Sequence, residues 1–201
     1  MIKQIITALV LWMLTSLACA FDVEYITQTT CRGTQLRPAK ACIKASVAQD
    51  IVERVQYYSA LYNVSERLVW RVMHVESRFN PKVRSKTGAR GLMQVIPYWH
   101  RDKILGRQID DIDTNIDVGV HILREYMDRY RSEPAALQAY VGSPRTTRYT
   151  RAVYAVKHTY YSSVHPLSED RLPLSPDHTP YIAQIDERYT SQVCDCSSIS
   201  V

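Results

Sequence analysis

Past its first twenty residues the chain has no apolar run long enough to span a bilayer, so helical membrane insertion of the remainder is excluded. No stretch shows the sustained alternation of a half-buried strand, and no internal repeat is visible, so the expected class is all-α. The 25 Lys and Arg exceed the 20 Asp and Glu by only five, and no basic patch is interleaved densely with aromatics. That combination argues against nucleic acid as a partner. The six histidines are scattered. His74 stands in HVE, which lacks the second histidine that a zinc-binding helix face requires, and His100 and His121 read as surface or core-edge residues. Ser77 has no base at a pairing distance in the pattern, so a serine nucleophile is rejected.

What is present begins with MIKQIITALVLWMLTSLACA, which has Lys3, an apolar run from Ile5 to Leu14 and a small-residue ending at Ala18-Cys19-Ala20. This is the pattern of a secretory signal over residues 1–20, with cleavage before Phe21. Cys19 raises lipid attachment as an alternative, but Ser16 stands where that signal usually has leucine. Removal of Lys3 leaves 24 cations against 20 acids, a net +4. The remaining cysteines are Cys31, Cys42, Cys194 and Cys196. In an exported chain they point to disulfides, by closure of the Cys31–Cys42 loop or by cross-linking of the two ends, with a metal site as the rival that a C-x-C pair without matching partners supports only weakly.

Residues 21–45 read as an irregular segment. Ser46, with Gln49 three residues on, resembles a capping box opening a helix that ends near Asn63. Ser65 caps the next helix, which stops at Asn80-Pro81. A loop over 82–91 and a short helix from Pro97 to Leu105 follow. A long helix over 115–130 turns Ile116, Val120, Leu123 and Met127 inward. Pro134 opens another helix ending near Tyr140, Gly142-Ser143-Pro144 breaks it, and a last helix reaches about Tyr161. Residues 162–201, rich in proline and serine, read as an extended tail.

Within VWRVMHVESRF, Val69, Val72, Met73 and Glu76 fall at helical spacing on one face. A carboxylate at the edge of an apolar face is costly when ionised, and burial raises its pKa. Such a group is suited to donating a proton near neutral pH.

The residues around it resemble a known family. Glu76-Ser77, Phe79-Asn80-Pro81, Ser85, Gly88-Ala89, Gly91-Leu92-Met93-Gln94 and Pro97 look like the signature of the SLT-type (family 1) lytic transglycosylases of the lysozyme-like superfamily. Asn115-Ile116, Gly119 and Ala139-Tyr140 before Gly142 continue it, over roughly residues 47 to 160. The resemblance implies a helical, lysozyme-like domain over 46–161 with a sugar-binding cleft. It implies cleavage of the MurNAc-GlcNAc β-1,4 bond of peptidoglycan, with Glu76 as sole acid and base, 1,6-anhydroMurNAc as product and no cofactor.

It further implies that Gly88 and Gly91 let backbone approach the sugar, and that Met93 and Gln94 line the cleft. Gln94 would bond an N-acetyl or hydroxyl group, or else brace its loop. Ser85 would orient Glu76 or touch substrate, unless it is a plain loop serine. Tyr140 would point its hydroxyl at the catalytic carboxylate, unless it is a core tyrosine. Relatives usually read AYNAG where this chain reads AYVGS, so Val141 replaces an amide.

Asp110, Asp111, Asp113 and Asp117 could supply the second carboxylate of a lysozyme-like muramidase. Their place at a helix N-terminus offers a simpler account of them. A non-catalytic glycan-binding or assembly protein is the third reading, motivated by Val141. The expected setting is the periplasm, with peptidoglycan strands as partner. Relatives of this kind open the wall for secretion, conjugation or pilus machines. The aromatic and basic run at 148–161 reads as an amphipathic helix, with a glycan-facing surface as its alternative.

Overall fold

The computed structural model describes residues 22–31, 42–143 and 147–156. The expected signal segment, the tail, Cys194, Cys196 and residues 157–161 lie outside them. The chain divides into two compact units, residues 1–53 with 159–201, and residues 54–158.

In the first unit residues 22–31 are helical (α1), which corrects the irregular segment expected there. No proline or glycine interrupts the stretch, and its threonines bond within the helix: Thr27 donates to the Val23 carbonyl at 2.8 Å and Thr30 to that of Thr27. Cys31 and Cys42 form a disulfide, the loop-closing option. Helix α2, Ala45–Leu61, starts in this unit and continues into the second. Its first turn is set by the Lys44 carbonyl, which accepts from Val47 and Ala48. Ser46 therefore lies inside the turn rather than capping it, and Gln49 bonds Glu53 instead of reaching back.

The second unit is built from helices. Helix α3, Glu66–Ser77, has Ser65 at its N-cap position, although the serine hydroxyl makes no capping bond. It buries Leu68, Val69, Trp70, Val72 and Met73. Helix α4, Arg101–Ile104, is a single turn. Helix α5, Ile112–Tyr130, is opened by Asp111, whose carboxylate accepts from the Thr114 amide. It buries Ile116, Val120 and Leu123 as expected, while Met127 is only half-buried. Helix α6, Glu133–Tyr140, packs along α5, and α7, Arg148–Ala155, lies against α3 and α6. Two β-type bridges, Arg84 with Arg90 and Arg90 with Val95, are the extended pairing among the described residues. No helix among them is long and apolar enough to cross a membrane.

Candidate active site

Glu76 sits one residue from the end of α3, where the chain reverses sharply. Arg78 and Phe79 take left-handed backbone angles, φ 51° and 61°, which cost non-glycine residues energy unless packing enforces them. Here Phe79 is fully buried, edge-on to Trp70 at 5.9 Å and to His74 at 5.6 Å. The Arg78 amide bonds the His74 carbonyl, and Ser77 spends its hydroxyl on that of Met73. The end of α3 is thereby pinned, and Glu76 with it.

The carboxylate is half-buried. Tyr149, at the start of α7, donates its hydroxyl to Oε1 of Glu76 at 2.5 Å. Burial pushes the Glu76 pKa up, and this phenol, which favours the ionised form, opposes part of the rise. Tyr149 is itself 9% exposed, and burial followed by the charge of Glu76 holds its hydroxyl far above the usual phenol range. It is therefore a proton donor in a hydrogen bond at every working pH.

The loop that carries Gly91, Met93 and Gln94 is organised by one buried side chain, Asn115 of α5. Its Oδ1 accepts from the Met93 amide at 2.8 Å, and its Nδ2 donates to the carbonyls of Arg90 and Ile109 at 2.9 and 3.0 Å. Gly91 lies so close that an added Cβ would stand 2.3 Å from the Asn115 side chain. A Cβ at Gly119 would meet Met93 at 2.5 Å. These glycines admit close contact between loop and helix, so packing against Asn115 by itself already calls for glycine at 91. Met93 is correspondingly fully buried, so its side chain does not line an open cleft.

Tyr140 donates to the Met93 carbonyl at 2.8 Å. Its hydroxyl thus ties α6 to this loop, and the tyrosine bonded to Glu76 is Tyr149. Tyr140 still lies near enough that the charge of Glu76, after burial, adds to the rise in its pKa. Gln94, with φ 49°, gives its amide NH2 to the carbonyls of Val83 and Gly91, the bracing role. Oε1 is left as an acceptor. Ser85 is exposed, accepts from the Ala89 amide and pairs with Thr87, so it shapes the turn. Val141 ends α6 at 39% exposure, with its amide on the Leu137 carbonyl.

The four aspartates each have a structural partner. Asp110 pairs with Arg84 and Arg90, and Asp111 caps α5. Asp113 accepts from Tyr58 and pairs with Arg54, while Asp117 accepts from Tyr62 and pairs with Arg107.

A family model, that of the transglycosylase SLT domain, matches residues 53–161. The chain belongs to the SLT-domain transglycosylase family. Its all-α architecture is the lysozyme-like one that the resemblance implies. A transglycosylase of Enterobacteria phage PRD1 is 40% identical over 90 residues, 45% of this chain and 34% of the phage protein. Membrane-bound lytic murein transglycosylase C of Mannheimia succiniciproducens is 37% identical over 86 residues, 38% of this chain and 24% of the relative. The protein of the same name from Histophilus somni strain 2336 is 33% identical over 114 residues, 48% and 31%. The SLT chain thus spans about a third or less of these curated relatives.

Within the SLT domain, Tyr149 is the residue that sequence reasoning passed over. Its one local signal is that Tyr149 and Val153 form the i, i+4 inward stripe of an eight-residue helix, and both are buried. The rest of α7 is the expected amphipathic helix, with Tyr154 exposed and bonded to Glu133.

Proposed function

We propose that the chain is a peptidoglycan lytic transglycosylase in which Glu76 acts first as general acid and then as general base. The observation that carries this reading is the pairing of a half-buried, pKa-raised carboxylate with the Tyr149 phenol at 2.5 Å. The protonated carboxyl donates to the bridging glycosidic oxygen as the bond from that oxygen to C1 of MurNAc breaks. The Tyr149 hydrogen bond then favours the carboxylate left behind, facing an oxocarbenium-like ring. That carboxylate takes the proton from the sugar's own C6 hydroxyl as O6 bonds to C1, closing the 1,6-anhydro ring. Every proton passes through Glu76, so the reaction as written needs neither a cofactor nor an activated water. The ties of Asp110, Asp111, Asp113 and Asp117 to protein partners support this one-carboxylate scheme over a hydrolytic one.

The substrate assignment, glycan strands of peptidoglycan, rests on the family and on relatives named lytic murein transglycosylases. The signal-like first twenty residues and the membrane-bound relatives favour a periplasmic, envelope-associated enzyme. A role in opening the wall for a secretion, conjugation or pilus machine belongs to the same proposal, and unimpaired assembly of every such machine in a deletion strain would remove it.

The test is mass spectrometry of purified peptidoglycan digested by the native protein and by Glu76→Gln. Anhydro-ended muropeptides from the first and none from the second are expected. Reducing-end products would establish hydrolysis instead. Binding without any product would favour the non-catalytic reading that Val141 suggests.

A further inference from the structure

Immediately beyond the Gln94 loop, two large aromatic side chains stand in solvent. Tyr98 is 63% exposed and Trp99 69%, and their rings meet edge to face at 4.7 Å with planes 86° apart. The guanidinium of Arg101 lies over the Tyr98 ring, 4.9 Å from its centre. The turn beneath them is closed by bonds from the Trp99 amide to the Ile96 carbonyl and from His100 to that of Pro97. The rings are therefore presented on fixed backbone. Neither ring is needed for packing, and paired exposed aromatics of this kind mark a binding surface.

We infer that Tyr98 and Trp99 form a platform for an additional sugar ring of the glycan strand, outside the residues gathered around Glu76. The inference rests on the substrate class proposed above. A pyranose carries an apolar face of C–H bonds and a rim of hydroxyls and amides. The indole and phenol faces match the first, and the Arg101 N–H groups match the second. Aromatic side chains supply such contact with little loss of side-chain freedom, since only two torsions must be fixed.

Size favours a sugar over a protein. Two aromatic side chains bury at most roughly 300–500 Å², whereas a stable protein interface takes about 800 Å² from each partner. The residues that follow the rings in sequence, Arg101 and Asp102, are exposed and charged, and Leu105 at the far end of α4 is an exposed apolar side chain. Position favours the same ligand. The platform follows Gln94 by four residues on a segment whose start is closed by the paired bonds between Arg90 and Val95. A strand engaging the Gln94 loop has this surface next along the chain.

The test measures binding rather than turnover, using the full chain with Glu76→Gln so that strands stay intact. The probes are stem-free peptidoglycan glycan chains of graded length, titrated by calorimetry. Trp99→Ala is expected to weaken binding of long chains on the order of tenfold and to flatten its dependence on chain length. Tyr98→Ala should weaken it less, and Trp99→Phe should restore most of the loss. Leu105→Ser, which removes an equally exposed apolar group, should leave affinity within twofold.

Unchanged affinity in Trp99→Ala and Tyr98→Ala would overturn the platform, as would equal losses from Leu105→Ser. A dimer of the parent that dissociates on Trp99→Ala in sedimentation would assign the surface to a second copy instead. The two proposals fail separately. Trp99-dependent binding without anhydro products leaves the platform standing and removes the catalytic reading, whereas anhydro products with Trp99-independent binding do the reverse.

Discussion

Glu76 must hold a proton at the pH where it works, and then hold a charge for the length of one bond rearrangement. Burial serves the first need and Tyr149 the second. Glu76→Gln should lower turnover by about 10³-fold or more, with far-ultraviolet circular dichroism unchanged. The same variant has a stability signature. Because the folded state raises the Glu76 pKa, it binds that proton more tightly than the unfolded chain does. The resulting stabilisation is complete below about pH 4 and is lost as pH climbs through the folded value. Glutamine has no proton to lose. The variant should therefore melt above the parent at pH 7.5, with the gap closing near pH 4. Tyr149→Phe deletes the bond that holds the Glu76 pKa down, so the alkaline limb of the kcat/KM profile should move to higher pH while its plateau falls about tenfold. A lowered plateau with an unmoved limb would mean that the phenol only fills space.

At the scale of elements, α5 is the post on which the site is mounted. One buried amide on it, Asn115, satisfies three backbone groups of the 90–109 segment. Asn115→Ala should lower unfolding free energy by about 3 kcal/mol or more, since it strands an amide and two carbonyls away from water. Gly119→Ala forces Met93 aside and should cost about 2 kcal/mol. Both are read by urea titration, and both should also depress activity, because the Met93 carbonyl that Tyr140 grips moves with the loop. These elements were unequally legible in the sequence. Helix α5 announced itself through Ile116, Val120 and Leu123 at helical spacing, and Glu76 through a carboxylate on an apolar stripe. The Tyr149–Glu76 bond joins residues 73 positions apart, and no periodicity encodes that. Nor does periodicity reveal that Gly91 is small because Asn115 needs its space, since a glycine in a loop suggests a turn as readily as a close contact. Helix α1 was missed for a related reason. Its ten residues are rich in β-branched and polar side chains, and threonine hydroxyls bonded along the helix leave no mark in an apolar pattern.

For the whole molecule, the described chemistry lies within residues 54–158, and the disulfide belongs to the other unit. Closing the loop between Cys31 and Cys42, 11 positions apart, should stabilise its own unit by about 2–3 kcal/mol. A Cys31→Ser/Cys42→Ser double variant is expected to lose that much in denaturant titration followed at residues 22–53. The hard reversal after α3 bears on how such chains diversify. A helix advances about 100° per residue, so one residue added between Val72 and Glu76 would swing the carboxylate off the Tyr149 hydroxyl while Trp70 and Phe79 still demanded their old places. Drift by substitution is open to this segment; drift by length is not. The spacing from Trp70 to Phe79 therefore acts as a ruler, and a lineage can rewrite most of the letters along it without ever changing its count.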